Sequence, residues 1–230
     1  MPMILSPFSI LDFGLRILDL GSGSGHALTR LIEKFPDSHI VCVDIAPARV
    51  ERLKKQADWP ETIEFVCADV EDLDFAENSF DMVISHLMLH WLDDMDTALT
   101  TIHRVLKDDG LLILDYFGPD SLQEIGTLNK RFIDMHIMGD TLVRHFFHHP
   151  ILDNEHITID YDNSTDAKDD LDDNAESAFV SEFEESDDEF HLRYEIVYAH
   201  AWKASRPMTS KIDQDGMVRL SPEQIQRKDK

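Results

Sequence analysis

Three glycines alternate with serines at residues 21–25, where an apolar run ends and a segment with helical spacing begins. Glycine lets the backbone turn sharply and approach a ligand closely, and the first turn of the following helix offers unpaired N–H groups. The spacing differs from the GxGxxG of dinucleotide-binding loops, and Asp19 stands two residues before the first glycine. The stretch predicts a loop that wraps a small ligand, with a purely structural glycine turn as the alternative.

Two carboxylates stand at the ends of the next two apolar runs. Asp44 belongs to the run at residues 39–45, roughly 20 residues after the glycines, where a carboxylate can accept hydrogen bonds from both hydroxyls of a ribose. Asp69 follows the run at residues 63–68. Each could instead be an ordinary turn or cap residue, and Pro47 favours a helix cap for Asp44. Together with the glycines, Asp44 favours a nucleoside ligand.

Two histidines, His86 and His90, lie in the stretch SHLMLHW at residues 85–91, after the fourth apolar run. Ligands of open α/β sheets bind at the carboxyl ends of the strands, so both imidazoles are candidates for the site. A core or surface histidine that takes no part in the chemistry is the competing interpretation for each.

The elements that must position these residues are predicted by hydrophobic spacing. Apolar runs predict strands, and helical spacing predicts the helices between them. Strict alternation of the two predicts a parallel sheet covered by helices on both faces, which agrees with strands that are apolar throughout. The predicted strands are residues 17–20, 39–45, 63–68, 80–85 and 110–117, and the predicted helices are residues 27–35, 47–56 and 93–106.

The pattern changes after residue 117. Residues 121–132 and 141–147 predict two further helices, and residues 155–161 and 192–202 predict two late strands at one edge of the sheet. Residues 162–190 are rich in Asp, Glu and Ser, which favours a solvated loop or a loose helix. We expect one domain over residues 1–204, with this acidic insert between its last two strands, and a disordered tail over residues 205–230.

Charge and composition exclude several classes of partner. The 230 residues carry a net charge of −25, and residues 151–195 alone carry −15, from 17 acidic and 2 basic side chains. A field of this sign repels nucleic acid and anionic lipid. No apolar run has the length of a membrane span, and no secretory signal is expected. We expect Cys42 and Cys67 to be buried, reduced thiols of a cytoplasmic protein, and we expect no metal site.

The glycine motif and its preceding acid resemble the first motif of class I methyltransferases, D/E-x-G-x-G-x-G, which wraps the methionine half of S-adenosylmethionine. The resemblance implies a Rossmann-like α/β fold with a mostly parallel seven-stranded sheet, helices on both faces and an antiparallel edge strand. It implies S-adenosylmethionine as cofactor, with Asp69 at the position that contacts the adenine amino group. The cofactor-binding residues implied are Asp19, Gly21, Ser22, Gly23, Gly25, Asp44, Ile45, Asp69, Val70 and His86.

Further stretches resemble one branch of that class, the malonyl-acyl-carrier-protein O-methyltransferases of biotin synthesis. Residues 85–91 are similar to the family pattern SNLALQW, residues 104–110 to RVLKPGG, and residues 118–125 to GPGTLHEL. Residues 132–162 are similar to a longer family stretch that contains DMH and GD, and residues 194–202, YEIVYAHAW, to YEVVYGHAW. The last two stretches are the most specific, because methyltransferases in general lack them.

This resemblance implies methylation of the free carboxylate of a malonyl thioester, held on acyl carrier protein or coenzyme A. A carboxylate is ionised at pH 7, so the reaction needs no general base, and catalysis consists of in-line alignment and exclusion of water. A cation should hold the carboxylate. The candidates on the substrate side are His90, His136, Arg131 and Arg144, each of which could equally be a surface charge or a cap.

Two alternatives remain open at this stage. The chain could be another small-molecule methyltransferase of the same fold, since a fold does not fix a substrate. It could also be a catalytically impaired cofactor-binding protein that acts as an assembly or regulatory factor. Only about 16 residues precede the first predicted strand, and the insert at residues 162–190 is strongly acidic, which favours the latter.

Overall fold

The structure is a computed structural model that describes residues 14–125, 132–173, 189–204, 211–212 and 218–219. Seven strands form one sheet in the order β3-β2-β1-β4-β5-β7-β6. The strands are β1 (Arg16–Leu20), β2 (His39–Asp44), β3 (Ile63–Cys67), β4 (Phe80–His86), β5 (Leu106–Phe117), β6 (Phe147–Tyr161) and β7 (Phe190–Lys203). The first five strands are mutually parallel, and β7 runs antiparallel to both β5 and β6. This confirms the predicted fold class.

Helices cover both faces of the sheet, as predicted. They are α1 (His26–Lys34), α2 (Pro47–Gln56), α3 (Met95–Val105), α4 (Met135–Arg144) and α5 (Ser164–Asp173). Apolar residues of α1 and α2 pack on one face, whereas those of α3 and α4 pack on the other. The side chains of β1 contribute to the cores on both faces: Ile17 packs on the face of α1 and α2, and Leu18 packs on the face of α3 and α4. Parallel strands that are covered on both faces need this apolar composition.

The predicted helix at residues 121–132 is wrong for its described part. The chain forms a single 3-10 turn there, Gln123–Ile125, and residues 126–131 lie outside the described residues. Leu122 has a φ of 57°, and its N–H donates to the carbonyl of Arg193 in β7 at 2.7 Å. This bond ties the segment to the sheet and leaves the N–H group outside any helix.

Helix α4 begins at Met135, six residues before the predicted start at residue 141. Its start is fixed by Asp134, whose carboxylate accepts the N–H groups of His136 at 2.8 Å and Ile137 at 3.4 Å. Such N-caps satisfy the first unpaired N–H groups of a helix. Residue 147, predicted to end this helix, instead begins β6, which starts well before the predicted residue 155.

The first part of the acidic insert is helical. Ala167 and Leu171 of α5 are buried against Leu192 of β7, so this part of the insert packs on the sheet. Residues 174–188 lie outside the described residues. Beyond residue 204 the structure describes only β8 (Lys211–Ile212) and β9 (Val218–Arg219), which pair antiparallel. The domain limits and the disordered tail stay predictions.

Both cysteines are free thiols, but only Cys42 is buried. The prediction that Cys67 is buried is wrong, because Cys67 ends β3, the outermost strand, where its side chain is exposed. In the described part of the chain, no helix is long and apolar enough to cross a membrane.

Candidate functional site

A cleft of about 600 Å³ opens at the carboxyl ends of β1 to β4. This is the volume of a typical small-molecule site. Of the residues predicted to bind the cofactor or substrate, the lining includes Gly21, Ser22, Gly23, Asp44, Ile45, Asp69, Val70, His86 and His90. The parallel register brings them together because the strands end at one edge of the sheet.

The glycine turn joins β1 to α1 along one wall of the cleft. Gly21, Gly23 and Gly25 have φ values of 72°, 50° and 82°, which side chains rarely tolerate. The N–H groups of Gly21 and Ser22 donate to the carbonyl of Val43 in β2, at 2.8 and 3.1 Å. A Cβ atom on Gly21 would overlap Met88. The turn is therefore a close-packed cradle. Gly25 is predicted to bind the cofactor but lies outside the lining, at the start of α1.

Asp44 fixes the shape of this cradle. Asp44 is only 7% exposed, and its carboxylate accepts the N–H of Gly23 at 3.1 Å and the N–H of Ala46 at 2.9 Å. Carboxylate oxygens have further lone pairs, so Asp44 can accept hydroxyl groups as well. Asp44 is not itself the predicted helix cap, because the N-cap residue of α2 is Ala46. It only accepts the N–H of that residue.

Asp69 lies farther along the same side of the cleft and is exposed. Its carboxylate accepts the N–H of Glu71 at 2.9 Å and so caps the short 3-10 turn Val70–Asp72. The capping bond uses one oxygen and leaves acceptor capacity toward the cleft. The exposed side chain of Ile45 and the buried side chain of Val70 provide apolar surface beside it.

Asp19 lies beneath the glycine turn rather than in the cleft wall. It is fully buried, and neither carboxylate oxygen has a hydrogen-bond partner among the described residues. The hydroxyl of Ser22 donates instead to the backbone carbonyl of Asp19, at 3.1 Å. Burial raises the pKa of Asp19 to about 6; the positive charge of His86 opposes this rise and the carboxylate of Asp44 adds to it. Its predicted role in cofactor binding stays a prediction.

In the ligand-free protein, we expect the ionisation of Asp19 to lower the free energy of unfolding as pH rises. The Asp19→Asn variant should lack this contribution. An unfolded Asp ionises near pH 4, whereas native Asp19 keeps its proton up to about pH 6. The native state then binds more protons between these values, so the free energy of unfolding falls as pH rises, by about 3 kcal/mol for two pKa units. Urea unfolding at both ends of this range measures the difference.

The exposed Asp58→Asn variant is the control for a change of charge without burial. Wild type and Asp58→Asn should lose stability in parallel across the range, and Asp19→Asn should lose about 3 kcal/mol less. Equal losses in all three proteins would contradict the raised pKa.

His86 and His90 occupy the other side of the cleft. Nδ1 of His86 lies 2.6 Å from Oδ1 of Asp115, a carboxylate in β5 that is 2% exposed. The hydrogen bond to Asp115 raises the pKa of His86, and partial burial opposes the rise. His90 is buried, with its ring centroid 5.1 Å from that of Phe117 and 6.0 Å from that of Phe132. His90 therefore lines the cleft and also packs in an aromatic cluster with Phe117 and Phe132.

The structure does not bring the other substrate-side candidates to the cleft. His136 is 80% exposed in the first turn of α4 and lies 3.2 Å from Asp134, while Arg144 ends that helix and donates to the hydroxyl of Thr141 at 2.8 Å. Neither lines the cleft. Arg131 lies outside the described residues.

Sequence reasoning missed several residues of the cleft. Arg49 and Arg52, one helical turn apart on α2, line it on the Asp44 side, and His26 and Trp91 line it elsewhere. The signal that could have indicated the arginines is their spacing of one helical turn in the helix that follows Asp44. Sequence reasoning also missed Asp115, which lies outside the lining and contacts His86. A carboxylate in the apolar run of β5 is unusual, and burial of a charged residue implies a partner.

One cluster of possible metal ligands exists in the described part of the chain, away from the cleft. The ligand atoms of Asp120, His156 and Glu195 lie within 4.8 Å of one another. Both oxygens of Glu195 already accept N–H groups, from Asn154 at 2.6 Å and from the backbone of Asp120 at 3.0 Å. These bonds give the cluster a structural explanation, because they tie β6 and the segment after β5 to β7.

The cleft fits S-adenosylmethionine by its chemistry. Gly21 provides a wall with no space for a side chain, Asp44 and Asp69 provide acceptors for ribose hydroxyls and an adenine amino group, and Ile45 and Val70 provide apolar surface for a base. Asp44 and Asp69 lie on the β2 and β3 side of the turn, so a nucleoside bound by them would leave the β4 and β5 side for a methyl acceptor.

Comparisons with known proteins agree with this assignment. A methyltransferase domain family matches residues 18–114. The malonyl-[acyl-carrier protein] O-methyltransferase of Gallionella capsiferriformans is 33% identical, over 87% of this chain and 80% of the relative. That of Halorhodospira halophila is 31% identical, over 93% of this chain and 82% of the relative.

Solved structures share the fold. A putative methyltransferase from Bacillus halodurans has a TM-score of 0.67 at 18% identity, over 87% of this chain and 97% of that one. A phosphoethanolamine N-methyltransferase of Haemonchus contortus in complex with S-adenosylmethionine has a TM-score of 0.61 at 19% identity, over 88% of this chain and 51% of that one. The extent and identity of the sequence matches show that the chain belongs to the malonyl-[acyl-carrier protein] O-methyltransferase family of S-adenosylmethionine-dependent methyltransferases.

Proposed function

We propose that this chain transfers the methyl group of S-adenosylmethionine to the free carboxylate of a malonyl group held as a thioester on acyl carrier protein, an early step of biotin synthesis. The observation that carries the proposal is the division of the cleft about the glycine turn. Carboxylates that suit a nucleoside lie on the side of β2 and β3, whereas two imidazoles that suit an anionic acceptor lie toward β4 and β5.

The residues of the chain act by binding and alignment. Bound S-adenosylmethionine supplies an electrophilic methyl group on a positively charged sulfur. The glycine turn, Asp44 and Asp69 fix the position of the nucleoside, which sets the direction from which the acceptor must approach. The aromatic cluster of His90, Phe117 and Phe132 limits the access of water beside the imidazoles. No residue has to remove a proton, because a malonyl carboxylate is ionised at neutral pH.

The identity of the partner is part of the same proposal. We propose malonyl-acyl carrier protein as the acceptor, with malonyl-coenzyme A as a second thioester that carries the same reacting group. The net charge of −25 supports neither nucleic acid nor an anionic membrane as a partner. A cytoplasmic location is supported by the two free thiols.

The test is direct. The protein is incubated with S-adenosylmethionine and either malonyl-acyl carrier protein or malonyl-coenzyme A, and mass spectrometry is used to detect the methyl ester. Acetyl-acyl carrier protein, which lacks the free carboxylate, is the matched control and should give no product. Wild-type protein that binds S-adenosylhomocysteine but forms no ester on either malonyl thioester would contradict the proposal. That result would favour a cofactor-binding protein without this activity.

A further inference from the structure

A buried carboxylate fixes one imidazole of the cleft from behind. Strands β4 and β5 pair so that His86 lies opposite Asp115, and Nδ1 of His86 is 2.6 Å from Oδ1 of Asp115. The same oxygen accepts the N–H of Leu87 at 3.0 Å, and the Asp115 side chain is 2% exposed. A carboxylate held by a backbone donor in a rigid strand cannot follow the imidazole if it moves, so Asp115 sets the orientation of the ring.

This contact also determines which nitrogen of His86 faces the cleft. An ionised carboxylate only accepts hydrogen bonds, so Nδ1 of His86 carries the hydrogen that Asp115 accepts. The other ring nitrogen, Nε2, has no hydrogen-bond partner among the residues that the structure describes. The His86 side chain is 42% exposed and lines the cleft. In the protonated ring Nε2 is a second donor, available to a ligand.

The position of His86 suits the acceptor rather than the nucleoside. Leu20 of β1 pairs with Ser85 of β4, so the next residues in each chain, Gly21 and His86, are neighbours at the edge of the sheet. Asp44 and Asp69 lie on the opposite side of the glycine turn, at the ends of β2 and β3. A ligand held by those carboxylates therefore presents its far end toward His86.

The charges around His86 favour its protonated form. Asp115 of β5 and Asp19 of β1 raise the pKa of His86, while partial burial and Arg30 of α1 oppose the rise, and the net effect is upward. Asp115 balances the positive charge of the ring, because burial of an unpaired charge is costly, and Nε2–H remains as a second donor. A charged donor of this kind binds carboxylates strongly, and the malonyl group carries a carboxylate.

We propose that His86 is a catalytic residue that holds the free carboxylate of the malonyl acceptor through its Nε2–H group, and that Asp115 is the positioning residue for this imidazole. The inference rests on the proposed function. One carboxylate oxygen accepts the Nε2–H bond and the other forms the new bond to the methyl carbon. The carbon–sulfur bond breaks with its electron pair left on sulfur, and no proton is transferred.

The competing cations are less well placed. Arg49 and Arg52 lie on α2, on the nucleoside side of the cleft, whereas Arg144 and His136 lie outside its lining.

The test compares His86→Gln, Asp115→Asn and a control, His191→Gln, in the full chain. His191 forms the same kind of pair, with Nδ1 2.7 Å from Asp160, but on an exposed part of β7 outside the lining of the cleft. Loss of a hydrogen bond to a charged group corresponds to a loss of about tenfold to 100-fold in affinity. The His86→Gln variant should raise the KM for malonyl-acyl carrier protein by this factor. Its Kd for S-adenosylhomocysteine, measured by calorimetry, should stay within about twofold. His191→Gln should change neither constant.

The role of Asp115 is read from pH profiles. Wild-type KM for malonyl-acyl carrier protein should rise with pH as His86 loses its proton. The rise should begin at lower pH in Asp115→Asn, because the neutral amide no longer stabilises the imidazolium. Titration of the His86 ring by NMR, which does not depend on turnover, should move to lower pH in the same variant.

Each remaining outcome counts against the assignment. If His86→Gln weakens S-adenosylhomocysteine and leaves the acceptor KM unchanged, His86 binds the cofactor. If Asp115→Asn leaves the NMR titration in place, Asp115 does not position the imidazolium. If wild-type protein forms no methyl ester, the proposed function itself fails. If wild type forms the ester and His86→Gln has the same KM for malonyl-acyl carrier protein and the same Kd for S-adenosylhomocysteine, only the present inference is overturned.

Discussion

Replacement of Asp44 by alanine is expected to weaken the binding of S-adenosylhomocysteine about 100-fold or more. The carboxylate accepts the N–H groups of Gly23 and Ala46, which hold the glycine turn and the β2–α2 connection together, and it is placed to accept ribose hydroxyls. Each bond to a charged group contributes about 1.5–3 kcal/mol, so loss of even two such bonds corresponds to at least a 100-fold change. Calorimetry with S-adenosylhomocysteine measures the effect without turnover.

The exposed residue Asp58, in the connection after α2, supplies the control. Asp58→Ala removes the same charge and should leave the affinity unchanged. Thermal unfolding of Asp44→Ala separates the two roles of the carboxylate. A lower Tm with affinity within about twofold of wild type would confine Asp44 to holding the loop, and the ribose assignment would then be wrong.

The side of the cleft that we propose for the nucleoside could be located from sequence, because its residues end or directly follow strands with strong local signals. The three runs that lead to the glycine turn, contain Asp44 and precede Asp69 are apolar and short, and the observed bounds of each differ from the predicted ones by one residue at one end. Once the strands are parallel, their carboxyl ends must meet at one edge. Eight of the ten predicted cofactor residues line the cleft for this reason; Asp19 and Gly25 lie just behind it.

The acceptor side could not be predicted in the same way, because it depends on contacts between distant segments. The register that places Asp115 opposite His86 is a property of the paired strands and has no signature within either one. For the histidine and arginine candidates after β5, charge is the only sequence signal. The positions of His136 and Arg144 depend on α4, whose start is set by the cap at Asp134 rather than by hydrophobic spacing.

Strand β6 shows how an edge position hides a strand from its sequence. Its first half contains Pro150 and several polar residues, a composition typical of a loop. At the edge of a sheet one side of the strand needs no partner, so proline and a bulge are tolerated. The register shift between His148 and Ile151, with a φ of 51° at His149, is such a bulge.

Replacement of Gly21 by alanine should both destabilise the protein and abolish measurable cofactor binding at concentrations that saturate wild type. A side chain at a φ of 72° costs about 1–2 kcal/mol, and an added Cβ would overlap the Cβ and Cγ atoms of Met88. Because these atoms lie close to the backbone of Met88, relief requires a shift of the loop that follows His86. Overpacking of this kind costs about 1–3 kcal/mol more. Urea unfolding and calorimetry with S-adenosylhomocysteine measure the two effects.

The matched control is Gly139→Ala, the same chemical change within helix α4. The added Cβ atom would meet Leu152 at 3.5 Å, an ordinary contact, and alanine is favoured over glycine inside a helix by about 0.5–1 kcal/mol. The control should therefore be slightly more stable than wild type and should bind S-adenosylhomocysteine normally. If Gly21→Ala retained wild-type affinity, the turn would have space for a side chain at the cleft wall. In that case the close packing of the glycine turn would not determine which ligands the cleft accepts.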